Sequence, residues 1–251
     1  MATAGAQVSN SVKSQASAPG RRYDHFFFSG MAVALMFTVF AGFANTYYLA
    51  GVFNAPLPSL IIHLHGAAFS CWIFLLVTQT SLVAAGRVDL HRRLGIAGFL
   101  LACLMVILGV LAATDALVRA RGPVGLSPKF FFIIHLTDML VFATLVFFAF
   151  RARSNSAAHK RLILVATISL MTAAVVRWPF GFIQGKFPLA VMLSYSFLLI
   201  LAAYDLWSTR KIHRATIWAG AFLIVVQQIR IPIGKTAAWN ALAGWVQTLA
   251  R

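Results

Sequence analysis

Apolar residues in this chain come in long runs, broken by short stretches that are basic or rich in Gly and Pro. Seven runs, approximately 26–50, 59–84, 94–116, 130–150, 161–180, 187–208 and 214–234, reach the length of about 20 residues that a helix needs to cross a bilayer. No water is available in hydrocarbon to satisfy the backbone, so such runs must be helices or strands of a closed barrel. Their lengths exclude strands. The pattern predicts an all-α fold, an integral membrane bundle of seven transmembrane helices over residues 23–235. Residues 1–22 are small and polar without large apolar side chains, and read as a disordered cytoplasmic tail. The first apolar run begins too late and runs too long for a cleaved signal peptide, and reads as a signal anchor. In 236–251, Trp239, Leu242, Trp245, Val246 and Leu249 fall near one helical face, which predicts an amphipathic helix along the outer membrane interface.

Composition agrees. Hydrophobic residues make up 61% of the 251 positions and charged residues only 10%, against about a quarter charged in soluble domains. There is no Glu, and the five Asp stand at 24, 89, 115, 138 and 205 against 21 Lys and Arg, for a net charge of +16. Such an excess could suggest nucleic acid in a soluble protein. Here the cations flank apolar runs, and their partner is the anionic bilayer surface. Thirteen cling to one set of helix ends, including Lys13, Arg21, Arg22, Arg87, Arg92, Arg93, Lys160, Arg161 and Arg214, and six to the other. The positive-inside rule therefore predicts a cytoplasmic N-terminus, and a bacterial inner membrane fits best. Cys71 and Cys103 lie within apolar runs, where Cys behaves as a small apolar side chain.

Internal similarity changes this picture. "IIHLHG" (61–66) opens helix 2 and "IIHLTD" (133–138) opens helix 4. Helices 3, 5 and 7 begin with "HRRLG" (91), "HKRLI" (159) and "HRATI" (213), and Arg-x-Pro-x-Gly recurs as "RGPVG" (121–125), "RWPFG" (177–181) and "RIPIG" (230–234). These matches suggest one helical hairpin used three times, as helices 2–3, 4–5 and 6–7. Pro and Gly as helix stops, with Arg reaching headgroups, explain the last motif structurally. They do not explain the histidines.

Ionisable residues at membrane depth tend to face the bundle and mark functional sites. Placed by helical rise, His63 and His135 lie near the outer ends of helices 2 and 4, Asp138 is one turn deeper than His135, and Arg177 and Arg230 reach similar heights. His65 is about 200° around the helix from His63, so one of the two faces inward, and the repeat selects His63. At the inner side His91 and His159 begin helices 3 and 5. Two stacked pairs, His63 with His135 and His91 with His159, can each ligate a b-type haem, with Arg177 and Arg230 beside the propionates.

This order of outer and inner histidines over helices 2 to 5 resembles that of the transmembrane di-haem b cytochromes that oxidise ascorbate or reduce ferric iron. "HRRLGIAGFLLACLMVILG" also resembles that family's helix starting from His with Gly four residues on, and the similarity covers roughly residues 60–180. The resemblance implies a haem-b electron-transfer protein, a transmembrane oxidoreductase with an electron donor and acceptor or a partner membrane subunit. Two rivals stand beside it. His63, His65, His135 and Asp138 could hold zinc or iron with an open water position, as in a metal-dependent membrane hydrolase acting on lipid. Alternatively, the polar outer cluster serves a cofactor-free transporter or accessory subunit as an anion or lipid-headgroup pocket.

Overall fold

The computed structural model describes residues 23–56, 58–122, 126–184 and 186–250, and each of the seven apolar runs carries helix in it. The helices are α1 (Asp24–Phe43), α2 (Leu60–Ala84), α3 (Val88–Val118), α4 (Pro128–Arg151), α5 (Ser156–Ile168), α6 (Thr172–Val175), α7 (Phe187–Thr209), α8 (Arg214–Gly234) and α9 (Ala237–Leu249). Among the described residues, seven spans are long and apolar enough to cross a membrane, with α5 and α6 together forming one of them. The predicted N-terminal tail lies outside the described residues, as do Pro123, Val124 and Gly125 of the first Arg-x-Pro-x-Gly copy. Below, the end that carries Arg87, Arg92 and Arg93 is called the basic end, and the opposite one the far end.

Local chemistry sets the helix starts. Ser127 accepts from Phe130 N at 3.2 Å ahead of Pro128, Asn155 accepts from Ala158 N at 3.2 Å, and Thr236 accepts from Trp239 N at 3.1 Å. Each satisfies a donor that the first turn leaves orphaned. His213 does the same for α8, its Nδ1 accepting from Ala215 N at 3.1 Å. The third basic-end histidine is a helix cap.

The helices α1 to α4 pack in chain order, α8 lies beside α4, α7 meets α1 through Tyr204, and α5 packs against α1, α4, α7 and α8. In the α5–α6 span 67% of the apolar window is buried, against at most 44% in any other. That difference makes it the centre of the bundle. The two earlier hairpins pack along their length, whereas α7 and α8 touch sparingly and α8 lies instead against α4 and α5.

The central span departs from the expected helix over 161–180. It breaks after Ile168, where Leu170 N and Met171 N bond three residues back to Thr167 O and Ile168 O. The Ser169 hydroxyl also donates to Ala166 O at 2.7 Å, a side-chain bond of the kind that bends helices. α6 then leans on α1 at Gly42, where a Cβ would stand 2.2 Å from Ala174 O. Trp178 Nε1 donates to Thr38 O at 3.1 Å just before Pro179. Consequently α5 fills the bundle axis only in the basic half. The two remaining Arg-x-Pro-x-Gly copies also diverge: Arg177 lies in the turn after α6, whereas Arg230 and Pro232 lie inside α8.

A buried ionic network locks the basic end. Arg161 donates to Asp205 Oδ1 from Nε at 2.9 Å and from Nη2 at 2.5 Å. The other carboxylate oxygen of Asp205 accepts from Thr216 Oγ1 at 2.6 Å and from His213 N at 3.1 Å. Asp24 pairs with Lys160 and accepts from Tyr204 Oη at 2.7 Å, while Tyr204 stacks on Phe27 at 3.7 Å. This corrects the reading of Lys160 and Arg161 as lipid-facing topogenic charges. The Arg161 side chain is only 3% exposed because its charge is neutralised inside the protein.

The far-end helix α9 folds back over α3 and α4. Ala243 packs into a cluster with Ala113, Leu117 and Phe132, and Gln247 Nε2 donates to Leu117 O at 2.9 Å. Its apolar face is divided: Trp239 and Val246 pack on the bundle, while Leu242, Trp245 and Leu249 stay exposed.

Candidate functional site

The polar interior is organised along two facing stripes. On α2, His65, Trp72 and Gln79 recur every seven residues, and on α4 His135, Phe142 and Ala149 do the same. Two turns of helix nearly close a heptad, so each set stays on one face. The stripes meet midway, where the rings of Trp72 and Phe142 stand 5.2 Å apart, edge to face. Trp72 is also held by its Nε1 bond of 3.2 Å to Thr167 Oγ1 on the central helix.

At the basic end the stripes lead to the predicted inner pair. The His91 and His159 rings lie 6.2 Å apart between centroids with their planes at 83°. Each is oriented through Nδ1. The Nδ1 of His159 lies 2.8 Å from Ala149 O, and a carbonyl can only accept, so that nitrogen donates and in the neutral ring Nε2 is the free one. The Gln79 amide lies 2.6 Å from His91 Nδ1. The amide nitrogen donates to His91 Nδ1 while the amide oxygen accepts from Gly95 N at 3.1 Å, so in the neutral ring the proton of His91 sits on Nε2. Helices α2, α3, α4 and α5 thus all contribute to this pair. Arg92 and Arg93 follow His91 and are exposed.

At the far end the structure reverses one assignment. His63 is exposed, and its ring packs against Tyr47 at 5.4 Å. His65 is the histidine that turns inward, beside Phe69 at 4.2 Å and within electrostatic reach of His135 and Arg177. The cause is the end of α1, which continues as a π-helical turn over Ala44–Tyr48. That turn lays Tyr47 over Gly66, where a Cβ would stand 2.8 Å from the ring, and Tyr47 Oη donates to His63 O at 3.1 Å. α2 is thereby rotated with His63 outward. A haem shared by His63 and His135 does not fit this arrangement.

The inward groups at this end do meet. His135 Nδ1 lies 2.9 Å from Phe131 O, which fixes its proton and leaves Nε2 bare. His65 Nδ1 is buried with no hydrogen-bond partner among the described residues. Asp138, one turn below His135, is taken by Arg230, whose Nη1 donates to it at 2.6 Å, and Gln227 donates at 3.3 Å. Tyr195 Oη donates to Gln227 Oε1 at 2.8 Å, joining α7 to the network. Arg230 is therefore committed to a carboxylate and is not free for a propionate. The proposed metal set His63, His65, His135 and Asp138 does not assemble either. Among the described residues no three His, Cys, Asp or Glu side chains could share one ion.

The residues that sequence reasoning missed are Gln79, Trp72 and Phe142. The heptad spacing down α2 was the available signal, since it phases His65, and not His63, with Trp72 and Gln79. No protein family, curated protein or solved structure matches the chain.

Proposed function

We propose that this protein is a membrane-embedded electron-transfer protein that holds a b-type haem between His91 and His159. The observation that carries the reading is the geometry of that pair. Two imidazoles sharing one metal at nitrogen–metal distances of about 2.0–2.1 Å have ring centroids roughly 6 Å apart, and these two stand 6.2 Å apart. His159 fits as a donor, its Nδ1 held by the Ala149 carbonyl and its Nε2 free; His91 would ligate through Nε2 once its proton moves to Nδ1 and the Gln79 amide turns to accept it. Arg92 and Arg93, one and two residues beyond His91, supply cations for two propionates.

When bound, the haem supplies a one-electron carrier whose potential follows from its ligands and surroundings. The chain's own residues do the rest. The carbonyl of Ala149 and the amide of Gln79 hold the two rings in place. The Trp72–Phe142 contact lies about 10 Å along α2 from both His65 and Gln79. It packs the mid-membrane with aromatic side chains in place of water and joins the two ends of the interior. Basic residues at the membrane boundary attract an anionic or acidic redox partner.

The experiment is spectral. Protein expressed with haem supply is expected to purify with a Soret band that shifts on dithionite reduction. His159→Ala is expected to lose the haem, and His63→Ala to retain it. Retention of full haem content by both His91→Ala and His159→Ala would refute the assignment.

A further inference from the structure

Gln79 reaches the His91–His159 pair from a third helix, α2, and the two ends of its amide meet different partners. The nitrogen lies 2.6 Å from His91 Nδ1 and 3.3 Å from His91 O, and the oxygen lies 3.1 Å from Gly95 N. A backbone N–H can only donate and a backbone carbonyl can only accept. His91 and Gly95 stand four residues apart, so the amide spans one rung of the α3 ladder. The backbone of α3 therefore sets the amide's orientation, and the His91 ring is presented with a donor.

His159 meets the opposite kind of partner. Its Nδ1 donates from α5 back to Ala149 O on α4 at 2.8 Å. Two neutral imidazoles 6.2 Å apart between centroids are thus given opposite tautomers by their neighbours, with the proton on Nε2 in His91 and on Nδ1 in His159. Tying α2 to α3 accounts for the bonds of Gln79 to the α3 backbone. It does not account for the shortest bond, which goes to the ring.

For His91 to offer Nε2 to a metal, its proton must move to Nδ1 and the amide must turn. Turned by half, the amide oxygen accepts from Nδ1–H but faces His91 O, and the amide nitrogen faces Gly95 N. One bond is kept, and two become contacts between like groups. His159 needs no such rearrangement.

We propose that Gln79 is the positioning residue of the pair and makes His91 the weaker of its two ligands. The inference rests on the haem reading above and assigns an asymmetry in it to one amide. A ligating imidazole gains basicity when its second nitrogen donates to a good acceptor. His159 has that acceptor in Ala149 O, whereas His91 obtains one only by giving up the rung on α3. Hydrogen bonding to an axial ligand is one of the levers on a haem potential, and here Gln79 holds the potential up.

The test has two arms. In the first, the full chain is expressed without haem supply, with isotope-labelled histidine, and nitrogen NMR in detergent reads each tautomer. Wild type is expected to show Nε2–H in His91 and Nδ1–H in His159. Gln79→Glu, whose carboxylate accepts from both Gly95 N and the ring, is expected to move the His91 proton to Nδ1. Gln79→Met, of similar size but without the amide, is expected to leave His91 a mixture, and His159 stays unchanged in both variants. In the second arm the same proteins are loaded with haem. Gln79→Glu is expected to hold it roughly tenfold more tightly and at a lower midpoint potential than wild type. A wild type that takes up no haem refutes the electron-transfer reading, and the first arm then decides the role of Gln79 alone. An Nδ1–H tautomer of His91 in wild type, an unchanged tautomer in both variants, or an unchanged potential in Gln79→Glu overturns the proposal.

Discussion

Replacing Asp205 by Leu tests the buried lock at the basic end. The carboxylate is fully buried, serves Arg161 through two hydrogen bonds, and also accepts from Thr216 Oγ1 and His213 N. Leucine fills the space but leaves a guanidinium buried without counter-charge, where its side chain is only 3% exposed. Breaking such a pair from one side costs about 3–5 kcal/mol. Replacing both partners by apolar groups is often neutral, so Arg161→Met with Asp205→Leu should recover much of the loss. Recovery is incomplete because the Thr216 hydroxyl and His213 N–H still lack an acceptor, roughly 1–3 kcal/mol each if water does not reach them. Equilibrium unfolding in mixed detergent micelles, followed by circular dichroism, measures both variants. The reasoning fails if Asp205→Leu lies within about 0.5 kcal/mol of wild type, as a surface change would. It also fails if the double variant is no more stable than the single one.

Two further outcomes follow from local geometry. Gly42→Ala is expected to destabilise by about 1–3 kcal/mol through overpacking, because its Cβ would meet Ala174 O at 2.2 Å. Gly30→Ala, with nothing within 4 Å, is expected to gain up to about 1 kcal/mol from helix propensity, so thermal melts should rank the two on opposite sides of wild type. Burial, then repulsion from Arg161 and Lys160, pulls His213 below the ordinary histidine value, and Asp205 offsets this only in part. A base whose folded value is depressed stabilises the fold above its unfolded value and loses that contribution as pH falls. Wild type should therefore lose stability on acidification below about pH 6.5. His213→Asn, which keeps a cap without titrating, should lose less over the same range, and equal losses would remove His213 as the cause.

The seven spans were legible because hydrocarbon imposes a length that apolar runs report directly. The break at Ser169 was hidden, since Ser and Thr within an apolar run satisfy their own helix and leave the hydropathy unchanged. Which face of α2 looks inward was hidden for a related reason. Lipid and core are both apolar, so an all-round apolar helix has no contrast to phase it. Similarity between "IIHLHG" and "IIHLTD" selected His63, but the π-helical turn that ends α1, at Ala44–Tyr48, rotates α2 and selects His65. The pairing of Arg161 with Asp205 joins residues 44 positions apart, which no local pattern shows. That His91 and His159 share one end of the bundle was legible because a basic turn fixes their depth and the following helix fixes their direction.

Electron paramagnetic resonance of the oxidised, purified protein tests the central claim most directly. Were His91 and His159 to hold a haem with their ring planes near perpendicular, as they stand at 83°, the ferric form would give a low-spin signal of the strongly anisotropic kind. That signal should vanish in His159→Ala and persist in His63→Ala. A protein without haem, or one whose low-spin signal survives the loss of both basic-end imidazoles, would contradict the account.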